Sequence, residues 1–398
     1  MDKEIKKPPL LVFLLLFMAP LAGVGIDLFV PSLPSIVNAF SSTENTVKFM
    51  IVSYLLGYAI GQPVFGSLSD IYGRKKPLIW GLLLYTLISF LIPVYKTIGM
   101  VLFLRVLQGI FVAAPGVLSK AILTDVFLGE KLAKLSTSMT IVWAIGPIVA
   151  PVIGGYLQEY LGWESSFYAL FLYGLVLLVL VFLSLEETNQ YRIPFEKKRL
   201  IQVYKEACLH KIFFGSIICI SIAYSLIVIF NTAGPFLIQT VLGYSPSQYG
   251  HFALFMGLGF FIGSLLNRFL LRKIPSSKIL PIAIAYGGFV SIFMLIISFL
   301  FGLHVWTLIG FTFFLLIASG MIFPNSIAKC LSLFPKTAGT ATAIMGASFI
   351  IGTSLITSLA SLLETSTLVP ISACYVLLMI ICSFVYFTML KEKSNIQN

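Results

Sequence analysis

"GSLSDIYGRKK", residues 66–76, decides how this chain is read. One apolar run ends at Leu68 and another starts at Leu78, with Asp70, Arg74, Lys75 and Lys76 packed between them. The 398 residues are 59% hydrophobic and only 10% charged. Soluble domains carry about 25% charged residues. A water-soluble globule of this composition would expose large apolar patches. The apolar runs are close to the roughly 20 residues that a helix needs to cross hydrocarbon. The composition therefore implies an all-α, multi-spanning membrane protein, and the charged string is a short turn between two crossings.

Working outward gives twelve crossings, near residues 10–31, 47–68, 78–95, 98–119, 135–157, 165–185, 212–232, 248–270, 279–300, 305–326, 339–360 and 368–390. The first ends in "GIDLFVPSLP", which lacks the small-residue cleavage site of a signal peptide. With a cytoplasmic N-terminus, Lys120, Lys131, Lys134 and almost all other basic residues fall on cytoplasmic pieces. Of 26 Lys and Arg, only Lys48, Lys96 and Arg105 do not. This is the skew of the positive-inside rule, and it places both termini in the cytoplasm. The net charge of +11 then serves topology and contact with anionic membrane lipids. No soluble basic domain is present to bind nucleic acid.

The longest polar stretch inside the chain, "EETNQYRIPFEKKRLIQVYKEACLHK", covers 186–211. It reads as a cytoplasmic linker, with an amphipathic helix around Ile201–Cys208. Residues 1–185 form an N-terminal bundle of six helices and 212–398 a C-terminal one. The opening string returns in weakened form as "GSLLNRFLLRK" from Gly263, with Asn267 where Asp70 stands. Paired six-span halves with a site near mid-membrane are a transporter architecture.

Four stretches carry a family resemblance: residues 66–76, "LFLRVLQGIFVAA" with Arg105, Gln108 and Gly109, "AIGPIVAPVIGGYL", and the pair "GIDLFVPSLP" and "AGPFLIQTVLGYSPSQYG". The chain resembles the major facilitator superfamily, and within it the drug:proton antiporters of the Bcr/CflA (bicyclomycin-resistance) type. The resemblance implies twelve helices in two six-helix pseudo-repeats in the plasma membrane of a bacterium. It also implies export of small amphipathic, drug-like compounds in exchange for protons, with no cofactor and no metal. A monomer is expected.

Within the charged string, Gly66 is read as allowing close helix approach and Gly73 a tight turn. Asp70 is expected near the start of a helix, where negative charge is favoured. Arg74 can reach Asp125 in "LTDVF". That pair is either a conformational latch, which the resemblance favours, or a rigid loop whose charges only set topology. Asp27 is the only acidic residue inside an expected crossing, and Arg105 the only basic one that is not within two residues of a crossing's end. Carboxylates in hydrocarbon mark ion or proton pathways. Asp27 lies roughly 6 Å and Arg105 roughly 10 Å from the outer ends of their crossings, so the two could meet. Burial favours a neutral carboxyl and a neighbouring guanidinium a charged one, which leaves such a group free to titrate. The plainer alternatives are an interfacial Asp27 and an Arg105 that only braces its bundle.

Gly146, Pro147, Pro151, Gly154 and Gly155 give crossing five either a controlled bend or ordinary close packing. Gly57 and Gly61 read as packing residues. Tyr54, Tyr58, Gln62, Asn231, Gln239 and Asn325 are the candidate lining of a substrate path. Enzyme chemistry finds no support: the three His form no ligand spacing, the five Cys form no CxxC and read as free thiols, and no phosphate-binding loop is present. Two other readings stay open: a proton-coupled carrier of one metabolite (a sugar, nucleoside or amino acid), and a non-transporting sensor.

Overall fold

The computed structural model describes residues 8–189, 210–333 and 338–391. The expected amphipathic helix around Ile201–Cys208 lies outside the described residues. These are all-helical: α1 (Pro8–Met18), α2 (Leu21–Asp27), α3 (Leu33–Ala39), α4 (Glu44–Tyr72), α5 (Lys75–Leu91), α6 (Ile98–Val126), α7 (Gly129–Leu161), α8 (Glu164–Ser184), α9 (Lys211–Pro235), α10 (Pro246–Leu270), α11 (Ser276–Phe301), α12 (Val305–Leu331), α13 (Ala338–Ala360) and α14 (Val369–Val385). Among the described residues, 11 helices are long and apolar enough to cross a membrane, and Ile344–Ala360 of α13 is a shorter apolar helix. A spanning segment must satisfy its own backbone, and helices do so within one segment.

The first crossing is one apolar stretch, Pro9–Ala39, broken into α1, α2 and α3. Prolines mark the breaks: Pro20 is the N-cap of α2, and Pro31 and Pro34 take the first positions of the turn and helix that follow, where a missing donor is tolerated. A turn of 3₁₀ helix, Val30–Ser32, leads from α2 into α3.

Two compact units result: Met1–Glu196 with Ser245–His251, and Lys197–Tyr244 with Phe252–Asn398. In the first unit α4 lies so close to α6 that side chains are excluded from the seam. A Cβ on Gly57 would strike the Val106 carbonyl, and one on Gly61 the Ile110 carbonyl. Lipid tails give no hydrophobic force between helices, so small residues drive association by bringing backbones together. Helix α7 runs along the broken first crossing: Gly146 meets Pro20, Pro147 meets Gly23, and Gly154 meets the Leu28 carbonyl. The small residues of that motif are therefore used in packing. The start of α10 joins the first unit because Gly155 and Gly250 let α7 and the Pro246–Ser247 backbone touch.

The second unit repeats the seam. Gly263 of α10 sits against the Ile317 carbonyl of α12, and Gly320 against the Phe260 carbonyl. Ser319 Oγ donates to the Ala223 carbonyl at 2.6 Å, and Tyr375 OH to the Leu226 carbonyl at 3.2 Å, holding α9 against α12 and α14. The four described cysteines are free thiols, and Cys219 and Cys382 lie 3.6 Å apart, sulfur to sulfur.

The seam gives a test by matched substitution. Gly57→Ala forces α4 and α6 apart and is expected to destabilise by about 1–3 kcal/mol, as overpacking does. Gly288→Ala, where an added Cβ meets nothing within 4 Å, should be neutral or slightly stabilising. Thermal unfolding of the two variants in detergent measures the difference.

Candidate functional site

Side chains of three other helices donate to backbone carbonyls of the broken first crossing. Tyr173 OH donates to the Phe17 carbonyl at 2.6 Å, Tyr54 OH to Ala22 at 2.9 Å, Arg105 Nη1 to Gly25 at 3.1 Å and Ser166 Oγ to Leu28 at 3.3 Å. Asp27 is the last residue of α2 and is 4% exposed. The crossing continues past Asp27 to Ala39, so Asp27 lies further from that end than the sequence places it.

Arg105 is fully buried at the centre of this arrangement. Besides Gly25, its Nε reaches the Met50 carbonyl at 3.2 Å and its Nη1 reaches Gln108 Oε1 at 2.5 Å. The Phe29 and Tyr54 rings flank it, each centroid 4.3 Å from Cζ. Gln108 Nε2 passes the chain on to Ser89 Oγ at 2.7 Å, which donates to the Tyr85 carbonyl. The direct pairing of Arg105 with Asp27 that the sequence suggested is not made. The guanidinium instead takes the partial negative charge at the C-terminal end of α2, two residues from Asp27.

At the other end of α4 the charged string is a closed network. Arg74 Nε donates to Asp125 Oδ2 at 2.9 Å, while Nη1 reaches Asp70 Oδ1 at 2.6 Å and Ser69 Oγ at 2.8 Å. Burial alone would lower the Arg74 guanidinium, but the bonds and charges of Asp125 and Asp70 outweigh it and hold it above its ordinary value. Asp70 lies in the last turn of α4 rather than at a helix start. The dipole disfavours it there, and Arg74 compensates. Gly66 makes no close approach: the nearest atom to an added Cβ is Val117 Cγ1 at 4.0 Å. Its carbonyl accepts from Ser69 Oγ. Gly73 has φ +88° and ψ 173°, a conformation open essentially to glycine alone.

One member of this network escaped the sequence reading. Glu187, just after α8, accepts from the backbone N–H of Arg74 at 2.7 Å and of Lys75 at 3.2 Å, so it caps α5. A Cβ on Gly73 would occupy the place of that carboxylate. Thr188 Oγ1 also donates to Asp125. An acidic residue 113 positions away gives no local signal that it closes this turn.

The second unit holds a neutral counterpart. Asn325 Nδ2 donates to Asn267 Oδ1 at 2.6 Å, and Ser276 Oγ donates to Asn325 Oδ1 at 2.7 Å. Asn325, expected on a substrate path, is thus 2% exposed and committed to joining α10, α11 and α12. Tyr54 is likewise fully buried, its ring on Arg105 and its hydroxyl on Ala22. Both are braces rather than walls. Tyr58, Gln62 and Gln239 are partly exposed, and Asn231 is buried in α9. Helix α6 runs past its expected end, so Lys120 falls inside it. Lys48, read as lying on an outer face, is a 1% exposed residue of α4 beside Glu44 at 3.7 Å. Among the described residues no cluster of His, Cys, Asp or Glu has the makings of a metal site.

Comparison with known proteins agrees with this arrangement. The family model described as Major Facilitator Superfamily matches residues 15–357. A relative from Haemophilus influenzae called "Bicyclomycin resistance protein homolog" is 29% identical over 94% of this chain and 96% of its own length. "Multidrug resistance protein MdtL" of Shewanella oneidensis is 29% identical over 86% of each. The solved structure of a D-xylose-proton symporter superposes with TM-score 0.80 at 14% identity, covering 96% of this chain and 97% of that one.

Two substitutions test the buried and the capping contacts. Arg105→Lys keeps the charge but cannot fork between two carbonyls and Gln108, so each abandoned carbonyl should cost about 1–3 kcal/mol. Glu187→Ala uncaps α5 and should cost about 1 kcal/mol. Midpoints of thermal unfolding in detergent should rank wild type above Glu187→Ala and Glu187→Ala above Arg105→Lys.

Proposed function

Because the chain belongs to the Major Facilitator Superfamily, we propose that it is a secondary active exporter of small amphipathic compounds, driven by inward proton flow, of the Bcr/CflA type. It is a multi-pass membrane protein and not an enzyme. The relatives named for bicyclomycin and multidrug resistance support drug-like compounds as the substrates. The likeness to a xylose symporter supports the fold alone.

The observation that carries the proton half of this reading is Asp27, a buried carboxyl at the break in the first crossing. Ionisable groups at such depth are functional by default, and discontinuous helices build ion sites in transporters. Proton uptake at Asp27 from the outside and its loss to the inside would bias which face of the path is open. Arg105 holds the neighbouring carbonyl still while that happens. The Arg74–Asp70–Asp125 network ties α4, α5, α6 and the stretch after α8 at one end of the first unit. As a latch it would be made in one state and broken in the other.

The energetics allow such coupling. One charge moving through 100 mV yields about 2.3 kcal/mol, and each tenfold solute gradient costs about 1.4 kcal/mol. One proton therefore sustains roughly a fifty-fold gradient of a neutral compound.

Asp27→Asn is the deciding variant. It should express and fold, yet lose proton-dependent efflux in a host lacking its own pumps. Full efflux by Asp27→Asn would remove Asp27 from the coupling. Mutual competition among chemically unrelated compounds is expected. Transport confined to one sugar, nucleoside or amino acid would instead establish the metabolite reading.

A further inference from the structure

Helix α6 carries a cation that the coupling scheme does not use. Lys120 lies six residues before the end of α6, about 9 Å inside it. It is exposed, although most of α6 around it is buried. No described residue bonds or pairs with its ammonium group. Lysines near helix ends commonly snorkel along lipid to the interface, so the direction of the side chain matters.

That direction follows from helix geometry at about 100° per residue. Lys120 lies about 60° round the helix from the buried Arg105 and about 40° from Gly116. Phe103, a lipid-exposed residue of α6 at 56% exposure, is about 100° away on the other side. Lys120 therefore leans toward the bundle. On α4 the same logic holds: Tyr58 and Gln62 stand about 160–200° from Ile60, which is 53% exposed. The two faces meet, because the Tyr58 hydroxyl reaches to 2.9 Å from where a Cβ of Gly116 would be, one turn before Lys120. The Tyr58 hydroxyl and the Gln62 amide, like Lys120, bond to no described residue. Three polar side chains turned away from lipid, each without a protein partner, make a surface built for something else. Intramembrane ionisable groups of this kind line water-filled cavities and substrate routes.

We infer that Lys120, with Tyr58 and Gln62, is an anion-recognising subsite in the first unit that binds the carboxylate of amphipathic aromatic acids. The ammonium supplies a charge-assisted bond to the carboxylate. The Tyr58 ring supplies an apolar wall, and its hydroxyl and the Gln62 amide supply neutral bonds that do not discriminate by charge. This inference rests on the export reading for its biological meaning, but the binding it describes is independent of proton coupling.

The test uses the full chain in lipid nanodiscs and two fluorescent probes, 1-pyrenebutyrate and its neutral amide, with empty nanodiscs subtracted. Wild type should bind the acid roughly tenfold more tightly than the amide. Lys120→Gln should erase that preference by weakening the acid alone, and Lys120→Arg should restore most of it. Equal binding of the two probes by wild type, or equal weakening of both by Lys120→Gln, would overturn the inference. Asp27→Asn should keep the acid preference. If neither probe is exported under a proton gradient while the preference persists, the export reading fails and the subsite stands.

Discussion

A guanidinium sealed in hydrocarbon is the constraint from which the first unit is built. Arg105 cannot be left bare there, because an uncompensated buried charge costs several kcal/mol. Its Nε and Nη1 are met by two backbone carbonyls and one amide, and two aromatic rings flank its Cζ, while Nη2 is buried without a hydrogen-bond partner. The Gly25 carbonyl is available because the first crossing breaks after α2, just ahead of the turn that begins at Val30 and Pro31. Cation and broken helix therefore explain each other: the break offers acceptors, and the cation makes the break tolerable. Asp27 sits at that junction as a consequence.

The two units share a helical plan and differ in their chemistry. Both seam their second and fourth crossings through glycines set against carbonyls, Gly57 and Gly61 in one and Gly263 and Gly320 in the other. At the turns that follow the second crossing of each unit they part. The first unit closes its turn with Arg74 between two carboxylates, and the second closes the equivalent turn with the amides of Asn267 and Asn325. Charge-assisted bonds are about twice as strong as neutral ones and are weakened by salt at a surface.

Much of this was legible in residues 66–76 and their echo from Gly263. Length and hydropathy suffice for the crossings, since a membrane imposes one period and one span length. The Arg74–Asp125 pair was also readable, because two charges at the same end of neighbouring crossings have few other partners. What escaped was set by tertiary position. The first crossing was read as ending at Pro31, although its backbone resumes as α3, and this misplaced Asp27. Arg105 and Asp27 were matched as opposite charges, because a sequence does not display backbone carbonyls as ligands. Tyr54 and Asn325 looked like path residues for the same reason: polarity in a crossing shows that a partner is needed, and packing alone shows whether that partner is protein. Glu187 lay in a stretch that reads as linker.

The neutral bond that closes the second unit's turn, set among the cations Arg268, Arg272, Lys273 and Lys278, has a bearing on how the two turns respond to dissolved ions. Asparagine amides neither gain nor lose a proton across the physiological range, and dissolved ions have little to screen between them. A rise in ionic strength therefore weakens the ion pairs of Arg74 and leaves the Asn267–Asn325 bond unchanged. Two turns of matching place are thus closed by bonds of different kinds, one that dissolved salt loosens and one that it leaves alone.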